Sequence, residues 1–145
     1  MKQLTNKKGF TLIELLVVIA IIGILSTLAI VALGNARARS RDAKRVSDIR
    51  QITSALELYF NDNGQYPSFV TPGQSLAGTG GTVYMAVVPS NPTPIADGAC
   101  PSTLTPTNYA YSQIAGNSSY VITYCIGSGT GQLTEGTRRA SPAGL

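Results

Sequence analysis

The chain alternates between two kinds of patterning. Residues 1–9 are polar and basic, with Lys2, Lys7 and Lys8 before Gly9. Residues 10–33 are almost wholly apolar. Within them Leu15–Leu33 runs 19 residues with only Ser26 and Thr27 as polar members. At about 1.5 Å per residue a helix of that length covers roughly 28 Å, close to the hydrocarbon thickness of a bilayer. Residues 34–63 change period. Val46, Ile49, Ile52 or Thr53, Leu56, and Tyr59 or Phe60 recur every three or four positions, opposite a polar face of Arg50, Gln51, Ser54 and Glu57. That spacing predicts an amphipathic helix. Asn61-Asp62-Asn63-Gly64 predicts its end, with Gly64 as a left-handed cap. Gly34 or Asn35 marks a local bend or an alternative start.

Beyond Gly64 the punctuation is different. All 8 prolines lie at or after Pro67, and 12 of the 15 glycines at or after Gly64. Tyr109–Ile114 and Tyr120–Ile126 are rich in aromatic and β-branched residues and flank Gly116-Asn117-Ser118-Ser119, which predicts a β-hairpin. Tyr120, Ile122, Tyr124 and Ile126 share one strand face. Residues 132–138 suggest a third strand, Tyr84–Val88 a short apolar piece, and 71–82 a loop. The fold class expected is α+β: a long N-terminal helix packed on a small antiparallel sheet of about three strands. Its first half would span the membrane and its second half would be amphipathic. The segments are 1–9, 10–33, 34–63 and a β-rich 64–145.

Composition removes most chemistry. The 145 residues include no His and no Trp. Ser-His-Asp and Cys-His catalysis are excluded, along with the commonest zinc ligand. No enzyme activity, cofactor or metal site is expected. The tyrosine stripe reads as core and sheet surface rather than a ligand cage. Cys100 and Cys125 are the two cysteines. In an exported chain they form one disulfide; in a cytoplasmic one they would be two buried thiols.

Glu14 is the anomaly in the apolar segment. A carboxylate near hydrocarbon costs about 2–3 kcal/mol at mid-bilayer and less at its edge. It either snorkels at the membrane surface or waits for a cationic partner from outside the segment, since no Lys or Arg lies between Lys8 and Arg37.

The string from Lys7-Lys8-Gly9-Phe10-Thr11-Leu12-Ile13-Glu14 into Leu15–Leu25 closely resembles the class III signal sequence of type IV prepilins and type II secretion pseudopilins. The resemblance covers about the first thirty residues. It implies cleavage between Gly9 and Phe10 by a membrane prepilin peptidase, which also methylates Phe10, leaving a mature chain of 136 residues (145 − 9). It further implies that Glu14 pairs with the terminal amine of a neighbouring subunit during assembly. The implied function is that of a structural subunit of a type IV pilus-like filament. The alternatives are a pseudopilin of a type II secretion system and a minor pilin for DNA uptake. The implied partners are copies of itself, the peptidase and methyltransferase, an inner-membrane assembly platform and, before assembly, membrane lipid. The precursor would be a single-pass inner-membrane protein with its C-terminal domain outside, later a cell-surface or periplasmic filament. Tyr59–Pro67 looks like the helix-end motif of major pseudopilins. Those proteins hold calcium in a C-terminal loop, yet after Gly64 this chain has only Asp97 and Glu135 as acids.

Charge completes the picture. Lys plus Arg total 11 against 7 Asp plus Glu, net +4, which taken alone hints at an acidic partner. Removal of the leader would cut this to +1. Six cations, Arg37, Arg39, Arg41, Lys44, Arg45 and Arg50, follow the apolar segment, offset by Asp42 and Asp48. We read them as a solvated basic collar beside the membrane, in contact with headgroups or acids of a neighbour. Nucleic acid is a less favoured partner, since no aromatic residue is interleaved among them. The positive-inside tendency would put the C-terminal domain in the cytoplasm; the leader motif implies export.

Overall fold

The structure is a computed structural model that describes residues 9–94, 97–100, 109–114, 116–131 and 133–145. The basic leader residues Lys2, Lys7 and Lys8, and Gln132 of the expected third strand, lie outside the described residues. The chain divides into two compact units, 1–36 and 37–145, so residues 37–63 belong to the same unit as the β-rich part.

Helix α1 is Leu12–Asn63. It begins two residues later than expected because Thr11 caps it, and it runs through Gly34 and Asn35 without a new start. In the first unit it is long and apolar enough to cross a membrane, and none of that apolar window is buried. The helix stops where the sequence requires. Gly64 takes φ +69°, and its N–H donates to the Phe60 carbonyl at 2.7 Å. Asn63 Nδ2 donates to the Tyr59 carbonyl at 2.8 Å, capping a second acceptor.

Among its described residues the second unit contains five strands. β1 (Leu76–Ala77) and β2 (Val83–Met85) form a two-stranded antiparallel ribbon. β3 (Ala110–Ile114), β4 (Ser119–Ile126) and β5 (Gly136–Ala140) form an antiparallel sheet in that order. Tyr111 stands opposite Ile122, and Ile122 opposite Ala140. The hairpin is where the sequence put it, with Asn117 at φ +74° in its turn. The third strand is shifted toward the C-terminus. A Thr130–Leu133 bridge occupies the expected beginning, and the chain re-enters the sheet only at Gly136, whose φ is +112°. The stretch 71–82, expected to be loop, contains β1.

The core lies between the amphipathic half of α1 and β4. Val46, Ile49, Ile52, Leu56 and Tyr59 meet Tyr120, Ile122, Tyr124 and Ile126, all buried. Each fully buried aliphatic side chain contributes roughly 1.5–3 kcal/mol. The aromatic rings pack in sequence, with Phe60–Tyr66 centroids 4.6 Å apart and Tyr66–Tyr120 4.7 Å apart. Tyr66 and Tyr120 both donate to Glu57. The expected face of β4 is therefore core. The cysteines are joined, Cys100 to Cys125.

Candidate functional site

Thr11 and Glu14 close a reciprocal box at the start of α1. The Thr11 hydroxyl and backbone N–H both donate to Glu14 Oε2, at 2.6 and 2.9 Å. The Glu14 N–H donates to Thr11 Oγ1 at 3.2 Å. Two orphan helix N–H groups are satisfied this way, and a carboxylate is held where the helix dipole favours it. The Thr-x-x-Glu spacing is a capping-box signal that the two expectations for Glu14, snorkelling at the membrane edge or awaiting a cation, do not use. The hydrogen-bond partner of Glu14 lies inside the segment. Gly9 and Phe10 sit just ahead of the box, both exposed, and nothing lies within 4 Å of a Cβ built at Gly9. Cutting between them would place a new amine one residue before Thr11.

The second constellation corrects the basic collar. Asp42 is fully buried, and so is Arg45, whose Nη1 donates to Asp42 Oδ1 at 2.6 Å. Asp42 also accepts the N–H groups of Gly127 and Ser128, at 2.8 and 2.7 Å. Arg45 Nε donates to Asn91 Oδ1 at 2.9 Å. Arg41 grips Asp97 with two bonds, Nε to Oδ2 at 2.7 Å and Nη2 to Oδ1 at 2.9 Å. Lys44 pairs with Asp48 at 2.8 Å, and Tyr109 donates to the same carboxylate oxygen at 2.8 Å. These pairs draw in acids from the helix and from the loop before Cys100. Three of the six cations are therefore committed inside the chain. Arg37, Arg39 and Arg50 are exposed, and among the described residues their guanidinium groups make no hydrogen bond or ion pair.

The cluster depends on close backbone approach. A Cβ at Gly98 would lie 2.1 Å from the Gly127 carbonyl oxygen, and one at Gly127 would lie 2.3 Å from that of Asp97. The Ala99 N–H donates to Gly127 O at 2.9 Å, and the disulfide fastens the same two segments. The Arg41 hydrogen bonds hold the Asp97 carboxyl below the usual carboxylate range, with the charges of Arg41 and Arg45 adding to the effect. Burial, then the Asp48 hydrogen bond, pushes the Tyr109 hydroxyl well above its ordinary range. The arrangement holds charge and shape.

Comparison with known proteins returns to the N-terminus. Residues 4–32 match the family model described as the prokaryotic N-terminal methylation motif. The chain is similar to type II secretion system core protein G of Pectobacterium carotovorum subsp. carotovorum, 44% identical over 63 residues, which is 43% of this chain and 40% of that protein. The protein of the same name from Vibrio cholerae serotype O1 is 34% identical over 94 residues, 65% of this chain and 58% of its own length. A type IV major pilin, PilA of Myxococcus xanthus, is 37% identical over 64 residues, 44% of this chain and 29% of the pilin. The matches thus span only part of each relative. No solved structure matches the chain. In its N-terminal part the chain is similar to these type II secretion core proteins and to the type IV pilin.

Proposed function

We propose that this chain is a filament subunit of the pilin and pseudopilin type, with assembly rather than catalysis as its role. It is made as a single-pass inner-membrane precursor, cut between Gly9 and Phe10 by a prepilin peptidase, and methylated at Phe10. It is polymerised by an inner-membrane assembly platform into a periplasmic or surface filament, with its C-terminal unit outside. One observation carries this reading. From Leu12 to Leu33 every large apolar side chain is exposed, behind a motif that matches the methylation family. So much apolar surface is tolerated only in lipid or against like helices.

Two machines use such subunits. The names of the similar proteins favour a secretion pseudopilus, since core protein G recurs among them. The disulfide and the scarcity of acids after Gly64 favour a pilus. The nucleic-acid reading loses support, because half of the basic cluster is neutralised within the chain.

Electron microscopy of surface filaments, with mass spectrometry of their main band, tests the proposal. A methylated Phe10 at the N-terminus of an abundant extracellular fibre supports a pilus. The same N-terminus in short periplasmic filaments, with secretion lost on deletion, supports the pseudopilus. A chain that keeps Met1–Gly9 and forms no filament overturns both.

A further inference from the structure

Asn63-Gly64 is the one Asn-Gly step in the sequence, and it stands where the long helix ends. That dipeptide carries a chemistry of its own. The backbone nitrogen after an asparagine can attack the side-chain Cγ, and a following glycine has no Cβ to hinder the approach. The Gly64 N–H gives its proton to hydroxide as the bond from Gly64 N to Asn63 Cγ forms. The Cγ–Nδ2 bond breaks, and Nδ2 takes a proton from water and leaves as ammonia. Water then opens the cyclic imide at either carbonyl, giving aspartate or isoaspartate. Water and hydroxide are the only co-reactants.

The fold holds back each part of that reaction. The Gly64 N–H is donated to the Phe60 carbonyl at 2.7 Å, so the attacking nitrogen keeps its proton. The leaving group, Asn63 Nδ2, donates to the Tyr59 carbonyl at 2.8 Å and to the Tyr84 hydroxyl at 3.0 Å, which turns the carboxamide back along the helix. The β1–β2 ribbon supplies the second of these bonds. The Tyr84 ring lies 5.3 Å from that of Tyr59, and its hydroxyl donates onward to Asp62 Oδ2 at 3.0 Å. On the same ribbon, a Cβ built at Gly78 would lie 3.1 Å from both ends of the Asn63 carboxamide. The ribbon is therefore a clasp on Asn63. Its strands have only two and three residues, so it opens more readily than the sheet over the core.

We propose that Asn63 is a deamidation site kept closed by Tyr84, and that its conversion marks chains whose ribbon has come away from the helix end. The mark hinders its own reversal. An aspartate at this position has no N–H to give the Tyr59 carbonyl, and it sets a second carboxylate beside Asp62 at the negative end of the helix dipole. Isoaspartate also adds a methylene to the main chain, which shifts Gly64 out of its left-handed cap. A converted chain thus recloses poorly. The Asp97-Gly98 step offers the same backbone geometry and serves as an internal contrast. Arg41 holds that side chain as a carboxylate, a poor electrophile.

The test incubates the full chain in detergent at mildly alkaline pH and follows the peptide containing Asn63 by mass spectrometry. Tyr84→Phe keeps the ring and loses the hydroxyl. With its circular dichroism unchanged, it should convert roughly fivefold faster than the unaltered chain, as the loss of one hydrogen bond implies. The unaltered chain unfolded in urea should convert faster still. An unchanged rate in a folded Tyr84→Phe chain, or a folded unaltered chain that converts as fast as the unfolded one, overturns the proposal. If Tyr84→Phe does not fold, the unaltered chain decides alone. Its conversion should rise in urea below the main unfolding midpoint, in step with hydrogen exchange at the Gly64 amide. A rise that begins only at the midpoint overturns the ribbon as the clasp.

Discussion

Arg45 Nη1 lies 2.6 Å from Asp42 Oδ1, one turn away on the same helix, and both side chains are shut off from water. A buried charge is tolerated only when paired and hydrogen-bonded. Asp42 meets that demand with two loop N–H groups as well as the guanidinium, so the pair also fastens residues 127–128 to the helix.

Removing one partner should therefore be costly. Arg45→Met leaves Asp42 charged, buried and without its cation, for a loss of about 3–5 kcal/mol. Asp42→Asn in the same chain removes the stranded charge and should recover part of the loss. Urea denaturation of the detergent-solubilised chain, followed by circular dichroism, reads both effects. Equal stability of Arg45→Met and the unaltered chain would show that the pair is dispensable.

The disulfide acts on the same two segments by another route. Its cysteines are 25 positions apart. Loop-closure entropy for that span corresponds to about 3.5 kcal/mol at 25 °C. Cys100→Ser with Cys125→Ser should lower stability by about that amount. Because the ion cluster and the bond hold one loop in common, the double serine variant combined with Arg45→Met should lose less than the two losses added. A double-mutant cycle measures the difference, and strict additivity would refute the coupling.

Acid should weaken the cluster from the Asp97 side. Arg41 holds the folded pKa of Asp97 below its unfolded value. The stabilisation is thus fully present above the unfolded pKa, about 4, and is lost as pH falls through the folded one. Asp97→Asn should be less stable at neutral pH and should flatten the decline below about pH 4. At the other limb, burial and the Glu57 hydrogen bond push Tyr66 up to about 12. Its contribution is present below the unfolded value of about 10 and is lost as pH rises through the folded one. Tyr66→Phe should flatten that loss. Urea midpoints measured across pH follow both limbs; an acid limb that is unchanged in Asp97→Asn would count against the assignment.

Periodicity made the frame of this fold legible. The stripe Val46 to Tyr59, the Gly64 stop and the alternation Tyr120 to Ile126 each report which face meets the core, and burial follows them. The ionic cluster was not legible for the same reason. Asp42 and Arg45 extend the buried stripe toward the N-terminus and Asp48 lies within its first turn, all with charged side chains, where a hydrophobic pattern gives no signal. Their partners come from Asn91, Asp97 and residues 127–128, far along the chain. Composition counted six cations and two nearby acids, and so suggested a solvated collar. Only the close approach at Gly98 and Gly127, invisible in spacing, brings Asp97 within reach. At the N-terminus the reverse holds. The Thr-x-x-Glu spacing contains the whole local geometry, whereas the family resemblance implies only a pairing between subunits.

The capping role of Glu14 and its expected pairing between subunits can be separated by chemistry. Within the chain, Glu14 accepts from Thr11 and completes a capping box. Glutamine serves at that position of a capping box nearly as well, because the box needs an acceptor, not a charge. Pairing with the amine of a neighbour needs the charge. Glu14→Gln should therefore keep the helix start yet assemble as poorly as Glu14→Ala, with filament yield down at least about tenfold, or about 1.4 kcal/mol per contact. Insertion in the membrane and cleavage after Gly9 should be unaffected in both. Thr11→Val removes the cap and keeps the charge, so it should cost about 1 kcal/mol of local helix stability and less assembly than either glutamate variant. Immunoblots of sheared filaments against the processed membrane pool give the readout. If Glu14→Gln assembles normally while Thr11→Val and Glu14→Ala fail together, the carboxylate serves the helix end alone and the pairing between subunits is wrong.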